Sequence, residues 1–141
     1  MLDFNHLVDT PGVDYQKFWG TDAGGTNDWQ TWRKPRNARM IYMLAVGAGA
    51  SGGCGLNSAA TSGGGSGGTS GSQTSLLIPA MFVPDILFIQ CGVGGAQPAT
   101  LVTGAGSVAG GITFVTAQII TNTFMYYLYS GGGLAGAAGS A

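Results

Sequence analysis

The sequence predicts an all-β domain, a sandwich or jelly roll with long glycine-rich loops and an extended N-terminal arm. Three observations carry this. Short apolar runs rich in strand-forming residues recur along the chain, each punctuated by glycine or proline. No segment sustains the 3.6-residue apolar repeat of an amphipathic helix. Charge is nearly absent: 8% of the 141 residues are charged, and from Met40 onward the only formal charge is Asp85. A typical soluble domain carries about a quarter. A body without charges finds its polar contacts in backbone amides, hydroxyls and neighbouring copies, so a free-standing cytosolic enzyme is not expected.

Residues 1–28 hold small apolar groups, Leu2, Phe4, Leu7 and Val8, then Tyr15, Phe18 and Trp19, separated by Pro11-Gly12 and Gly24-Gly25. Neither helix nor strand periodicity persists there. The segment reads as a docking arm whose aromatics pack on the body or on a neighbour. The body spans 29–130. Trp29 and Trp32 flank Gln30-Thr31 in a short strand, with rings on opposite sides or wrapped around an edge. Met40 to Val46 is apolar at every position and predicts a central strand buried on both faces.

Further strands are expected at 75–78, 80–83 and 86–91, with Pro79 and Pro84 marking strand starts or edges. Gly92-Val93-Gly94-Gly95 ends the last of these. Three more are expected at 99–103, 112–117 and 123–129, the final pair joined by a polar turn near Thr121-Asn122. Alternate positions of the last are mostly aromatic, the surface a sandwich or subunit contact uses. Residues 131–141 form a small, mobile glycine/alanine-rich tail.

Between 47 and 71, eleven of 25 residues are glycine. Such a run is either a flexible linker or a loop packed backbone to backbone, against this chain or against symmetry mates. Its place between two strong strands favours a long loop within one β-domain. Gly47-Ala48-Gly49-Ala50-Ser51-Gly52 matches the dinucleotide fingerprint G-x-G-x-x-G. That chemistry needs a following helix to direct its dipole at the pyrophosphate and an acid about 20 residues on. More glycine follows instead, and no acid lies between Asp28 and Asp85. Gly49-Ala50-Ser51-Gly52-Gly53 matches the hydrolase elbow G-x-S-x-G, but the one histidine, His6, lies in the arm.

One histidine and two isolated cysteines make no metal-ligand cluster. The reading is therefore no catalytic, cofactor-binding or metal-binding residues, and no cofactor. Cys54 and Cys91 are too few for a disulfide scaffold, and two separate buried thiols are preferred over one bridge. A net charge of -1 argues against broad attraction to nucleic acid or anionic lipid. The apolar stretch 76–91 is interrupted by Pro79, Pro84 and Asp85 and does not read as a membrane span. The N-terminus lacks the basic and apolar regions of a secretory signal.

Arg33, Lys34, Arg36 and Arg39 hold four of the five positive charges. They read as the hydrated rim of a strand or as contacts to acidic groups on an assembly partner. Asp85, after Pro84, reads as a turn carboxylate capping backbone amides.

Trp29-Gln30-Thr31-Trp32-Arg33-Lys34-Pro35, then Met40-Ile41-Tyr42-Met43-Leu44 and Gly47-Ala48-Gly49-Ala50-Ser51-Gly52-Gly53, resemble the glycine-rich domain proteins of tailed bacteriophages. So do Leu76-Leu77-Ile78-Pro79, Val83-Pro84-Asp85-Ile86-Leu87 and Val93-Gly94-Gly95-Ala96. The resemblance covers roughly 29–111, while 1–28 have no counterpart. It implies a non-enzymatic virion component, a tail-fibre or spike adhesin or a capsid decoration protein, assembled in the host cytoplasm.

Expected partners are other virion proteins, further copies of the chain (a trimer foremost) and host surface glycan, with no nucleic acid and no membrane insertion. Trp19, Trp29, Trp32, Tyr126, Tyr127 and Tyr129 are the expected partner-packing anchors, because aromatics dominate interface energetics. The alternative is a secreted carbohydrate-binding module that stacks sugars on Trp and Tyr.

Overall fold

The computed structural model describes residues 13–21, 29–57, 62–96, 107–118 and 126–139. Within them the chain forms eight strands: β1 (Gln30–Arg33), β2 (Met40–Val46), β3 (Leu56–Asn57), β4 (Ser62–Gly63), β5 (Gln73–Pro79), β6 (Ile86–Gln90), β7 (Thr113–Thr116) and β8 (Tyr126–Ser130). One 3-10 turn, Ala80–Phe82, links β5 to β6, and no α-helix occurs among the described residues. The all-β expectation is met. The expected strand at 99–103 and residues 1–12 and 22–28 of the arm lie outside the described residues.

A four-stranded antiparallel sheet in the order β1-β6-β7-β8 faces the two-stranded antiparallel sheet β2-β5. Cross-strand register sets the facing sides. Trp32 lies opposite Leu87, Ile89 opposite Val115, and Val115 opposite Leu128, so these side chains share one face. They pack with Ile41 and Ala45 of β2 and with Ala80 and Val83 of the connecting turn in a single apolar cluster. Leu87 and Val83 are each 2% exposed. A two-layer sandwich follows because each sheet has one apolar face to remove from water.

The strand β2 departs from its expected setting. Its burial alternates: Ile41 and Ala45 are buried and Met43 is half-buried, while Met40, Tyr42, Leu44 and Val46 are exposed. Among the described residues it pairs only with β5, and it lies in the outer layer. Apolar residues on both faces here signal an uncovered face, not double burial within the chain. Full burial falls instead to β7, flanked by β6 and β8 and buried at all four positions.

The run 80–83 also departs, forming a 3-10 turn. The Val83 N–H donates to the Ala80 carbonyl at 3.2 Å, and the Ala80 N–H donates to the Arg39 carbonyl at 3.0 Å. The prolines on either side leave this segment too short for a ladder.

Below the sandwich the strands run on into glycine-rich segments, 47–55 after β2, 64–72 before β5, 91–96 after β6, 107–112 before β7 and 131–139 after β8. Their hydrogen bonds recur every third residue. The N–H groups of Gly47, Ala50 and Gly53 donate to the carbonyls of Ser72, Thr69 and Ser66 at 2.8–3.0 Å. Those of Ser66, Thr69 and Ser72 donate to Ala137, Leu134 and Gly131, and those of Gly133, Gly136 and Gly139 return to Ala48, Ser51 and Cys54.

A repeat of three is that of an extended threefold helix, which makes no hydrogen bonds within itself and so directs all of them to neighbours. Segment 47–55 is the hub. It bonds to 64–72, 107–112, 131–139 and, through the Gly95 N–H on the Gly49 carbonyl, to 91–96. The described parts of the glycine run, 47–55 and 64–71, are thus packed backbone to backbone within this chain, and 131–139 is built into the same lattice instead of forming a tail.

The close packing explains the glycines. A Cβ on Gly133 would collide with the Thr69 carbonyl oxygen and lie 2.9 Å from the Ala50 nitrogen. A Cβ on Gly71 would collide with the Gly47 carbonyl. Neither glycine has a left-handed φ, so space and not backbone dihedral demands glycine at both. Hydroxyls occupy the next register: Ser66, Thr69 and Ser72 each meet a backbone group of 131–139, with the Leu134 N–H on Thr69 Oγ1 and the Ala137 N–H on Ser66 Oγ, both 2.6 Å.

The seam between sandwich and lattice is closed the same way. Thr113 Oγ1 donates to the Val46 carbonyl at 2.7 Å and accepts from the Gly92 N–H at 2.9 Å, while Ser130 Oγ accepts from the Gly47 N–H at 3.0 Å. No buried side-chain polar atom among the described residues is left unpaired.

Candidate functional site

Three surface features carry side chains of chemical interest, and the strand pattern places each. The first follows from the β1–β2 connection. The Ala38 N–H donates to the Pro35 carbonyl at 3.3 Å, closing a turn whose third residue, Asn37, takes φ 67°. Asparagine tolerates that left-handed conformation better than most residues. This turn places Arg36 next to Asn37, facing the 3-10 turn across an open cleft of about 560 Å³. Arg33, Lys34 and Arg36 line it together with Asp85, Met81 and Ile86.

The four basic residues differ in their surroundings. Lys34 is largely covered, and its ammonium donates to the Asp85 carboxylate at 2.9 Å and the Val83 carbonyl at 2.8 Å. Its backbone N–H donates to the Asp85 carbonyl at 2.8 Å, so the pair ties β1 to the start of β6. Asp85 therefore has a cation as its partner where a backbone amide was expected. Arg33, Arg36 and Arg39 are exposed. Arg33 and Arg36 face the cleft, and Arg39 is not part of its lining.

The second feature is aromatic. On the outer face of the four-stranded sheet, Trp29 meets Phe114 edge-on at 5.3 Å, Phe114 meets Tyr126 at 5.2 Å, and Tyr126 meets Tyr129 at 5.5 Å. Such offset and edge contacts between rings are attractive beyond their area. Three of the six expected anchors thus converge, joined by Phe114, which sequence reasoning passed over because β7 carried no aromatic pattern.

Trp32 and Tyr127 instead pack against the core, and the Tyr127 hydroxyl donates to the Phe82 carbonyl at 3.3 Å. Trp29 and Trp32 do lie on opposite sides of the sheet. In the arm Phe18 packs against the core, whereas Trp19 is 71% exposed and its carbonyl accepts from the Gln30 side chain at 2.7 Å.

The third feature is the outer face of β2-β5. Register places Tyr42 opposite Leu77 and Met40 opposite Pro79, with Leu44 and Val46 continuing the row across from Ser75 and Gln73. No charged residue belongs to either strand.

No family model matches the chain, and no curated protein or solved structure does either. The surfaces themselves therefore carry the functional argument.

Cys54 and Cys91 are both free and half-buried. Burial pushes the Cys91 thiol above the usual thiol range. The folded state holds that proton more tightly than the unfolded state does. Its contribution to stability is thus complete below the ordinary thiol range and is lost as pH rises through and beyond it. Iodoacetamide labelling followed by peptide mass spectrometry should show Cys91 reacting in the native protein only at higher pH than in urea. Coincident pH profiles in the two conditions would contradict this.

Proposed function

We propose that this chain is a non-enzymatic structural protein of a bacteriophage virion, a host-facing fibre or adhesin or a capsid decoration component, that assembles with further copies of itself. The observation that carries the self-assembly is the outer face of β2-β5. Met40, Tyr42, Leu44, Val46 and Leu77 are between 38% and 64% exposed in one contiguous row. They leave on the order of 500 Å² of apolar surface, at the upper end of what monomers expose in a single patch. With the flanking backbone, Gln73 and Ser75, the face approaches the roughly 800 Å² per partner of a standard interface.

Its occupant is a second copy of the chain. The face offers no charge for a charged partner to complement, and from Met40 onward this protein is itself an almost uncharged surface. Like meets like without burying an unpaired ion. The virion setting is supported by the ordered motifs from Trp29 to Ala96 that resemble phage glycine-rich domains. The same motifs bring host glycan and other virion proteins as partners.

Size-exclusion chromatography with light scattering tests the assembly. A species near three times the 14.2 kDa chain mass is expected. A strictly monomeric protein at micromolar concentration would overturn it. Proteomic analysis of purified phage particles tests the setting, and tail-less heads separate a capsid location from a tail location.

A further inference from the structure

We infer that the cleft between the β1–β2 turn and the 3-10 turn binds a compact organic anion, a phosphorylated or carboxylated body the size of one sugar ring. The inference does not need the virion setting, since it rests on the cleft alone.

Charge selects the ligand's sign. Three cations and one carboxylate line the cleft, a surplus of two positive charges in a chain whose net charge is -1. Lys34 and Asp85 neutralise each other at 2.9 Å. The surplus therefore sits on Arg33 and Arg36, and no ion pair or hydrogen bond occupies either guanidinium among the described residues. A guanidinium presents a planar fork of donors matched to the oxygens of a phosphate or carboxylate.

The site is also built rather than draped. Lys34 bonds to the solvent-exposed Asp85 carboxylate and to the Val83 and Ala80 carbonyls, which ties down the strand that carries Arg33. The Pro35 to Ala38 turn fixes the backbone next to Arg36.

Size and lining select the body. The cleft is open, and its volume of about 560 Å³ has room for a single sugar ring with its anionic group. Ala38, Ala80, Met81 and Ile86 line the cleft with apolar surface, Met81 and Ile86 exposed, against which the C–H face of a ring can rest. An extended polyanion such as nucleic acid needs several cations spread along its backbone. The structure offers a single short cluster.

The test is titration calorimetry on the full chain with glucose 6-phosphate, glucuronate, inorganic phosphate and glucose. Glucose 6-phosphate, glucuronate or both should bind at least about tenfold more tightly than glucose, and which of the two does so names the source of the anion. The R33A/R36A double variant should weaken that binding at least about tenfold, and R33K/R36K should fall between it and the native chain, because charge survives while the fork is lost. R39A, outside the cleft, should bind as the native chain does. Amide shifts of Ala38 and Ile86 on adding ligand provide a readout that does not depend on any variant folding.

Glucose binding as tightly as the anions would overturn the proposal, as would undiminished binding by R33A/R36A or an equal loss in R39A. Inorganic phosphate binding as tightly as glucose 6-phosphate would overturn the assignment of an organic body. Shifts confined to residues away from the cleft would overturn the site.

Discussion

Replacing Gly133 by alanine is expected to lower the unfolding free energy by about 1–3 kcal/mol or more, while the same replacement at Gly64 or Gly67 leaves it unchanged or raises it by about 0.4–1 kcal/mol. The three positions are alike in sequence, small residues in glycine-rich runs, and differ only in what surrounds them. At Gly133 the new methyl would meet the Thr69 carbonyl and the Ala50 nitrogen, both backbone atoms that cannot rotate away. The segment cannot retreat either. The Gly133 N–H donates to Ala48 at 2.8 Å, and its carbonyl accepts from Gly110 at 2.9 Å.

At Gly64 and Gly67 nothing lies within 4 Å of the added atom, and neither residue has a left-handed φ. There alanine only removes freedom from the unfolded chain. Urea denaturation of the three variants measures the contrast. Equal effects at all three would mean that glycine serves chain flexibility here and that the threefold lattice does not bear on stability.

Tyr42→Asp combined with Leu77→Asp is expected to convert the assembly to monomer without unfolding it. The two residues face each other across β2 and β5 and are 64% and 62% exposed, so the isolated chain loses little packing when they change. In an assembled face, however, each carboxylate would be buried without a partner, at a cost of several kcal/mol per ion. Light scattering should report the monomer mass, with the circular dichroism melt held near its original midpoint.

Tyr129→Asp, on the opposite face of the other sheet, is the informative companion. If it dissociates the assembly while the Tyr42/Leu77 variant does not, the aromatic group around Phe114 is the interface and the β2-β5 face is not.

The strands were largely legible from sequence because proline and glycine fence each apolar run. Pro79 and Pro84 bracketed the 3-10 turn, although the apolar 80–83 run concealed that the chain turns there. What sequence could not supply was the neighbour. The pattern of β2 is equally that of a strand buried twice and of one whose outer face awaits a partner, and only the packing separates these.

The glycine run posed the same difficulty. Whether it is a linker or a lattice depends on segments such as 131–139 returning to it, which no local window contains. The basic cluster was plain in the sequence, but the commitment of Lys34 to Asp85, and hence the surplus on Arg33 and Arg36, depended on bringing two distant turns together. The aromatic residues were visible individually, and their sorting into core and surface needed the register of β1 and β8.

The position of the hub segment has a consequence for how the protein comes into being. Residues 47–55 leave the ribosome before two of their partners, 107–112 and 131–139, have been made. The parallel contact of Gly133 with Ala48 closes a long loop, and such closures are costly in chain entropy before they are rewarded. Until 107–112 follows, the N–H groups of Ala48 and Ser51, which donate to it, have only water to bond. Closure of the hub's hydrogen bonds therefore waits on segments that follow it far along the chain.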